Sequence, residues 1–282
     1  MNRPSTGNTA AGIWPHVLIP YLISRFGILC AGVLALSFGQ VRSGNTWRIP
    51  SHAWVDMWAR WDSAYYLEIA TQGYRYVAGQ HSSVAFFPLY PMLMRVVACG
   101  SQDLVTLVIV GWLISNVSTV LALVYMYRLI TLDAPERTAR RTIWCLLFFP
   151  TSFFFSMVYT EGLFLLLTVA AFYCARRQQW GAACIWGGLS AATRSIGVFL
   201  VLPLAYEWWL QRRTSARLSW LYLLLVPCGL GGYMLYLYTA FGDPLVFAKA
   251  HASADGGLGR CLSSLSHLAH AVLTKIASLR GP

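Results

Sequence analysis

Charged residues are scarce in this chain. They make up 11% of its 282 residues, against about 25% in an ordinary soluble domain. Apolar residues make up 57%, and mean hydropathy is +0.55. That balance excludes a water-soluble globule and implies an all-α polytopic membrane protein. Acids are scarcer still, ten Asp and Glu against 21 Lys and Arg. The surplus of +11 forms no basic stripe and accompanies no nucleic-acid motif, so nucleic acid is not an expected partner. The seven cysteines include no Cys-x-x-Cys pair, and most sit inside apolar runs, which reads as small buried hydrophobes rather than a disulfide or zinc framework. The histidines, His52, His81 and His251 among them, show neither His-Glu-x-x-His nor an i, i+4 pair, so no metal site is expected. The glycines form no P-loop or dinucleotide pattern, which excludes a nucleotide loop, and no cofactor is expected.

What the chain has instead is apolar runs punctuated by arginine. The first span is His16–Phe38, with Arg25 inside it, and no small-residue cleavage site follows, so it reads as an uncleaved span. Residues 39–103 form a long loop on the outer side. Within it, 54–71 reads as an interfacial helix, its Trp54, Trp58, Trp61 and Tyr65 making one stripe at 4-3-4 spacing. Residues 84–98, with Pro88, Pro91 and Arg95, are short for a crossing and read as interfacial or re-entrant. Further spans follow at Leu104–Ile130, Thr142–Val158 and Leu163–Ala175. Gly181–Leu210 reads as a hairpin of two short arms turning at Thr193–Gly197, and Leu218–Phe241 completes about seven spans. Arg137, Arg140, Arg141, Arg176, Arg177, Arg212 and Arg213 then share the cytoplasmic side, and residues 242–282 form an external tail with a weakly amphipathic run at Leu262–Leu279. The whole of 1–282 reads as a single membrane domain.

This sorting leaves Asp56, Asp62 and Glu161 as acids close to the membrane on the outer face. On a helix Asp56 pairs with Arg60 at i+4, while Asp62 has only Trp58, Tyr65 and Tyr66 at i−4, i+3 and i+4. Glu161 stands at a span boundary, where an acid either faces a cavity or simply favours a helix N-terminus. Arg194 lies in an apolar stretch, which makes it a site hypothesis unless it reaches the interface. Arg60, Arg75, Arg95 and Arg194 converging on an outer cavity would suit a phosphate, because guanidinium offers a two-pronged fork to its oxygens.

Four segments in order resemble one family. Arg60–Ser63 with Tyr66, Ile69 and Gly73–Tyr74, then Phe86–Pro91, resemble the first outer loop of PIG-V-type mannosyltransferases, and Phe149–Ser152 with Tyr159–Glu161, then Ala192–Gly197, are similar to later segments. The resemblance covers about residues 19 to 250. It implies a GT-C-like bundle, a polyprenyl-phosphate sugar donor, a non-cytosolic reaction face and a catalytic acid in the first outer loop. In the eukaryotic members the reaction adds the second mannose of the GPI anchor. Family members run on for further spans, so the chain reads as a short paralogue or a truncated product. The implied membrane is the bacterial cytoplasmic membrane, or the endoplasmic reticulum in a eukaryote.

The resemblance also implies roles. Asp62 becomes the general base of an inverting transfer, for which one carboxylate suffices because a phosphate leaving group needs charge stabilisation more than a proton. Arg194 and Arg95 become phosphate ligands, with Arg60 beside them. Glu161 orients hydroxyls, and Trp61, Tyr65 and Tyr66 stack on sugar or lipid. Membrane lipids and the lipid-phosphate donor are the expected partners. The competing reading is a non-catalytic membrane protein, lipid-binding, transporter-like or a scaffold; no inverted repeat supports it.

Overall fold

The computed structural model describes residues 12–38, 49–77, 82–216 and 218–255. The amphipathic run at 262–279 lies outside them, as do His81 and the side chain of His251. The regular elements among the described residues are all helices, with no strand among them. They fall into two compact units where the sequence reads as one, the larger within Met1–Gly73 and Phe87–Tyr233, the smaller within Tyr74–Phe86 and Met234–Pro282.

The larger unit is built on three helices, α1 (Trp14–Phe38), α5 (Leu104–Ile130) and α7 (Glu161–Arg176). Asp103 caps α5, its carboxylate accepting the Thr106 amide at 2.9 Å. Between α1 and α5 lie three short helices, α2 (Ala53–Asp56), α3 (Ser63–Gln72) and α4 (Leu89–Val97). After α5 come α6 (Glu136–Leu147), α7, α8 (Trp180–Ala191), α9 (Val201–Gln211) and α10 (Leu225–Phe241). One core joins α1, α5 and α6 through Val17, Tyr21, Leu123, Tyr127, Ile143 and Leu147. A second joins α7 to α10 through Ala171, Trp180, Cys184, Leu204 and Val226.

Among the described residues, three helices are long and apolar enough to cross a membrane, Trp14–Phe38, Leu104–Ile130 and Ser219–Phe241, and a fourth crossing arises if Pro150–Ser156 and α7 count as one bent span. The other described helices are shorter than that. The expected span Thr142–Val158 is not one helix. Here α6 ends at Leu147, and a 3-10 turn, Pro150–Ser156, runs at 93° to α7. Pro150 has no amide to continue α6, so the chain turns there. The expected hairpin is α8 followed by a 3-10 turn at Ser195–Leu200 and then α9, with Arg194 at the bend.

The expected interfacial helix over 54–71 is also broken. A continuous helix would bond the Asp62 amide to the Trp58 carbonyl. Instead Trp58 O accepts from the Val158 amide at 2.9 Å, and the Asp62 amide donates to the Tyr159 hydroxyl at 3.0 Å. Trp61 takes φ +50°, a left-handed conformation uncommon outside glycine. The aromatic stripe is therefore dispersed: Trp58 packs near Trp112, while Trp61 lies against Phe153 and Phe154. The expected 84–98 piece is a 3-10 turn at Ser83–Ala85 followed by α4.

In the smaller unit, Tyr74 and Tyr76 pack on Tyr236 and Phe241. Ser83 Oγ accepts the Arg75 amide at 2.8 Å, and α11 (Val246–Asp255) buries Val246 and Ala250.

Candidate active site

The break at Trp58–Asp62 sets the site. It leaves Asp62 exposed at the start of α3, where its carboxylate makes no hydrogen bond or ion pair among the described residues. Its backbone is pinned by Tyr159, the residue two before Glu161. Tyr66, one turn into α3, is buried and stands edge-on to Tyr90 and Tyr159, with ring centroids 5.3 and 6.2 Å apart. Its hydroxyl lies 3.5 Å from Thr160 Oγ1. Tyr90 and Ser115 bond one another at 2.8 Å, and Ser115 Oγ donates to the Tyr159 carbonyl at 3.0 Å.

Glu161 opens α7, and Arg194 reaches it from the α8 bend. Arg194 Nη1 donates to Glu161 Oε1 at 2.6 Å and to Thr160 Oγ1 at 3.3 Å, and the guanidinium sits 5.9 Å from the Phe164 ring. The second oxygen, Glu161 Oε2, is buried with no hydrogen-bond partner, and so is Ser63 Oγ next to Asp62. Such orphan oxygens are rare in a folded interior and mark places where a polar ligand would be held. Burial pushes the Tyr66 and Tyr159 phenols well up, so both remain protonated at neutral pH. The geometry links these parts through Thr160: its Oγ1 lies beside the Tyr66 hydroxyl and accepts from Arg194, which also holds Glu161.

Backbone packing fixes this arrangement. A side chain at Gly162 would meet Ser115 O at 2.5 Å and Thr119 Oγ1 at 2.6 Å, so glycine lets α7 press on α5 directly beside Glu161. The Leu89 amide donates to Ala192 O at 3.1 Å, tying the start of α4 to the α8 bend.

The other expected ligands are not gathered there. Arg60 pairs with Asp56 at 3.2 Å, and Asp56 is wholly buried. Arg95 is exposed in the last turn of α4 and makes no ion pair among the described residues, and Arg75 is exposed in the smaller unit. Within the larger unit the expected arginine cluster thus reduces to Arg194 at this site, because Arg60 is held by a nearer acid and Arg95 sits in the last turn of α4, away from the end tied to the bend. Trp61 is exposed and Tyr65 half-buried. No group of three or more metal-ligating side chains occurs among the described residues.

The residues that build this site, from Trp58 to Arg194, lie inside a segment matched by a family model. The model is described as mannosyltransferase (PIG-V), and it matches residues 44–211. The chain belongs to the PIG-V mannosyltransferase family. GPI mannosyltransferase 2 of Schizosaccharomyces pombe is 28% identical over 144 residues, covering 50% of this chain. The chain spans only 30% of that relative's length. No solved structure matches. PIG-V membership brings the Asp62 junction and the Glu161–Arg194 pair into one family segment, whereas Arg25, on α1, lies before it.

Proposed function

We propose that the chain is an inverting mannosyltransferase that takes mannose from a polyprenyl-phosphate donor. One observation carries the reading: the exposed Asp62 is held through its amide by Tyr159, two residues before Glu161, whose carboxylate takes Arg194 on one oxygen and leaves the other without a partner. The name of the fission-yeast relative supports mannose as the sugar and a glycolipid of the GPI class as acceptor.

In this reading the acceptor hydroxyl gives its proton to Asp62 as its oxygen attacks the anomeric carbon. The carbon–oxygen bond to phosphate breaks on the opposite face, and the lipid phosphate leaves with the bonding pair. Glu161 holds sugar hydroxyls through its free oxygen, and Arg194 holds that carboxylate in place. Tyr66 and Tyr159, kept protonated, offer hydrogen-bond donors rather than a second base. Arg60 supports the loop through Asp56, and Trp61 and Tyr65 border the site.

Glu161 and Arg176 stand at opposite ends of α7, about 22 Å apart. Arginine belongs to cytoplasmic loops, so the site faces the other side of the membrane. The membrane is the one whose non-cytosolic leaflet carries the donor. The fission-yeast relative gives no ground for preferring a bacterial one. The deciding experiment is transfer of mannose from polyprenyl-phosphate mannose in membranes holding wild type or Asp62→Asn. Transfer by wild type alone is expected. Equal transfer by both overturns the role of Asp62, and none by either favours a lipid-binding or scaffold protein.

A further inference from the structure

A second charged site lies beside the Pro150–Ser156 turn. Arg25, midway along α1, lines a cavity of about 410 Å³ with Phe26, Leu29, Val33, Trp54 and Trp58. No acidic residue lines this cavity. Arg25 Nη1 donates to Ser152 O at 3.0 Å and Ser156 Oγ at 2.8 Å, and Nη2 donates to Ser24 Oγ at 3.0 Å. All three acceptors are neutral, and Arg25 has no carboxylate within ion-pair distance among the described residues. Of the five donors a guanidinium carries, two have no protein acceptor, Nε among them. Arginine inside a membrane span is costly and normally faces a partner charge. Arg194 has one in Glu161; Arg25 does not.

We infer that this cavity is the seat of the lipid-phosphate substrate, Arg25 taking the phosphate and the α1 groove the first part of the isoprenoid tail. The inference rests on the mannosyltransferase reading for the identity of the lipid, and on the cavity alone for its chemistry. Charge fits, because a phosphate supplies the anion the site lacks. Shape fits, because Phe26, Leu29, Val33 and Trp54 are exposed apolar side chains lining the groove. Position fits too. Asn116 accepts from Tyr21 at 2.6 Å and Ser156 at 3.1 Å on the Arg25 side, while its neighbour Ser115 bonds Tyr90 and Tyr159 on the Asp62 side. Both sites therefore stand at one level of α5. Residues 156 and 159 are at most about 11 Å apart along the chain, so the backbone segment that Arg25 braces through Ser156 is continuous with the one that holds Asp62 through Tyr159.

The test uses the full chain in lipid nanodiscs and a diazirine-bearing polyprenyl phosphate without sugar. Crosslinks are expected on α1 and on Trp54–Trp58. Unlabelled polyprenyl phosphate should compete, and equimolar polyprenol or phosphatidylglycerol should not. Arg25→Gln should weaken labelling by about tenfold or more, as expected when a charge-assisted bond is lost. Because Arg25 also braces Ser152 and Ser156, Val33→Trp serves as the second variant; it fills the groove without touching those bonds and should block labelling as well. Labelling elsewhere, full competition by polyprenol or phosphatidylglycerol, or labelling unchanged in both variants overturns the inference. Mannose transfer is measured separately. Transfer without groove labelling overturns the inference alone, and groove labelling without transfer overturns the mannosyltransferase reading alone.

Discussion

Helix α7 carries an arginine–carboxylate pair at each end, and the two pairs differ in what they leave free. At the Arg176 end, Nη1 and Nη2 each take one oxygen of Asp133 at 2.7 Å, and Nε takes Glu207 Oε1 at 3.2 Å. Glu207 Oε1 also accepts from Gln211. The fork and both Asp133 oxygens are engaged. At the other end, Arg194 takes one oxygen of Glu161 and leaves the second buried without a partner, while Asp62, its amide held by Tyr159, makes no side-chain bond among the described residues. An arginine–acid pair therefore does not by itself mark a site; the two α7 pairs differ in that Glu161 keeps an oxygen without a partner, whereas at the Arg176 end the leftover acceptor is the amide oxygen of Gln211.

The sharpest way to break this comparison is Asp62→Asn. Losing a placed general base costs about 10²–10⁴-fold in rate. A loss of mannose transfer on that scale is expected, with membrane insertion unchanged because the Asp62 side chain makes no structural bond. Near-normal transfer would leave the Glu161 end no more functional than the Arg176 end.

Asp56→Asn sharpens it from the other direction. Six residues before Asp62, this carboxylate is fully buried, bonded to the Ile49 amide at 3.2 Å and paired with Arg60. The ion pair was foreseeable from i, i+4 spacing, and a mild substitution would follow if the pair were exposed. Its burial changes the expectation. Breaking a buried pair costs about 3–5 kcal/mol; the Arg60 side chain keeps 23% exposure, so a loss near the lower end is expected. Thermal unfolding in detergent should show it, while whatever protein remains folded transfers mannose normally.

Arg194→Lys comes next. Lysine keeps the charge but not the reach to both Glu161 and Thr160, and a point charge does not replace the fork. A fall of about tenfold in kcat/KM, about 1.4 kcal/mol, is expected, with stability little changed because the pair is partly exposed. A larger loss of stability than of rate would make the pair a brace like Arg176.

These contrasts also separate what the chain discloses in one dimension from what it does not. Hydropathy gives α1, α5 and the span at Ser219–Phe241, because a long apolar run has few other uses. The α8 bend at Arg194 is readable from its short arms. The junction at Asp62 is not. It depends on Val158 and Tyr159 capturing the Trp58 carbonyl and the Asp62 amide, about a hundred residues away, and a helical stripe of tryptophans gives no sign of that competition. Pairing of Arg194 with Glu161 is equally silent, since sequence spacing says nothing about which acid a bend will meet. Arg25 was visible as an arginine in a span, yet its cavity needed α2 and the 3-10 turn at Pro150–Ser156 to close around it. The turn is foreshadowed only by Pro150.

The smallest effect belongs to Asp133→Asn. Its bond to Arg176 is the better formed of the two α7 pairs by geometry, so a reading by distance alone ranks it first. Exposure reverses that ranking. The Arg176 and Asp133 side chains keep 37% and 55% of their surface, and exposed pairs contribute about 0–1 kcal/mol. Arg176 also retains Glu207 when Asp133 is gone, so no bare cation is created. Topology should hold as well, because orientation follows Lys and Arg in the loops and acids count for little. Mannose transfer within about twofold of wild type, and a loss of stability under about 1 kcal/mol, are therefore expected. A loss of transfer comparable to that of Asp62→Asn would mean that the Arg176 end, with its own cavity between α5, α7 and α9, takes part in the reaction, and the contrast between the two ends of α7 would fail.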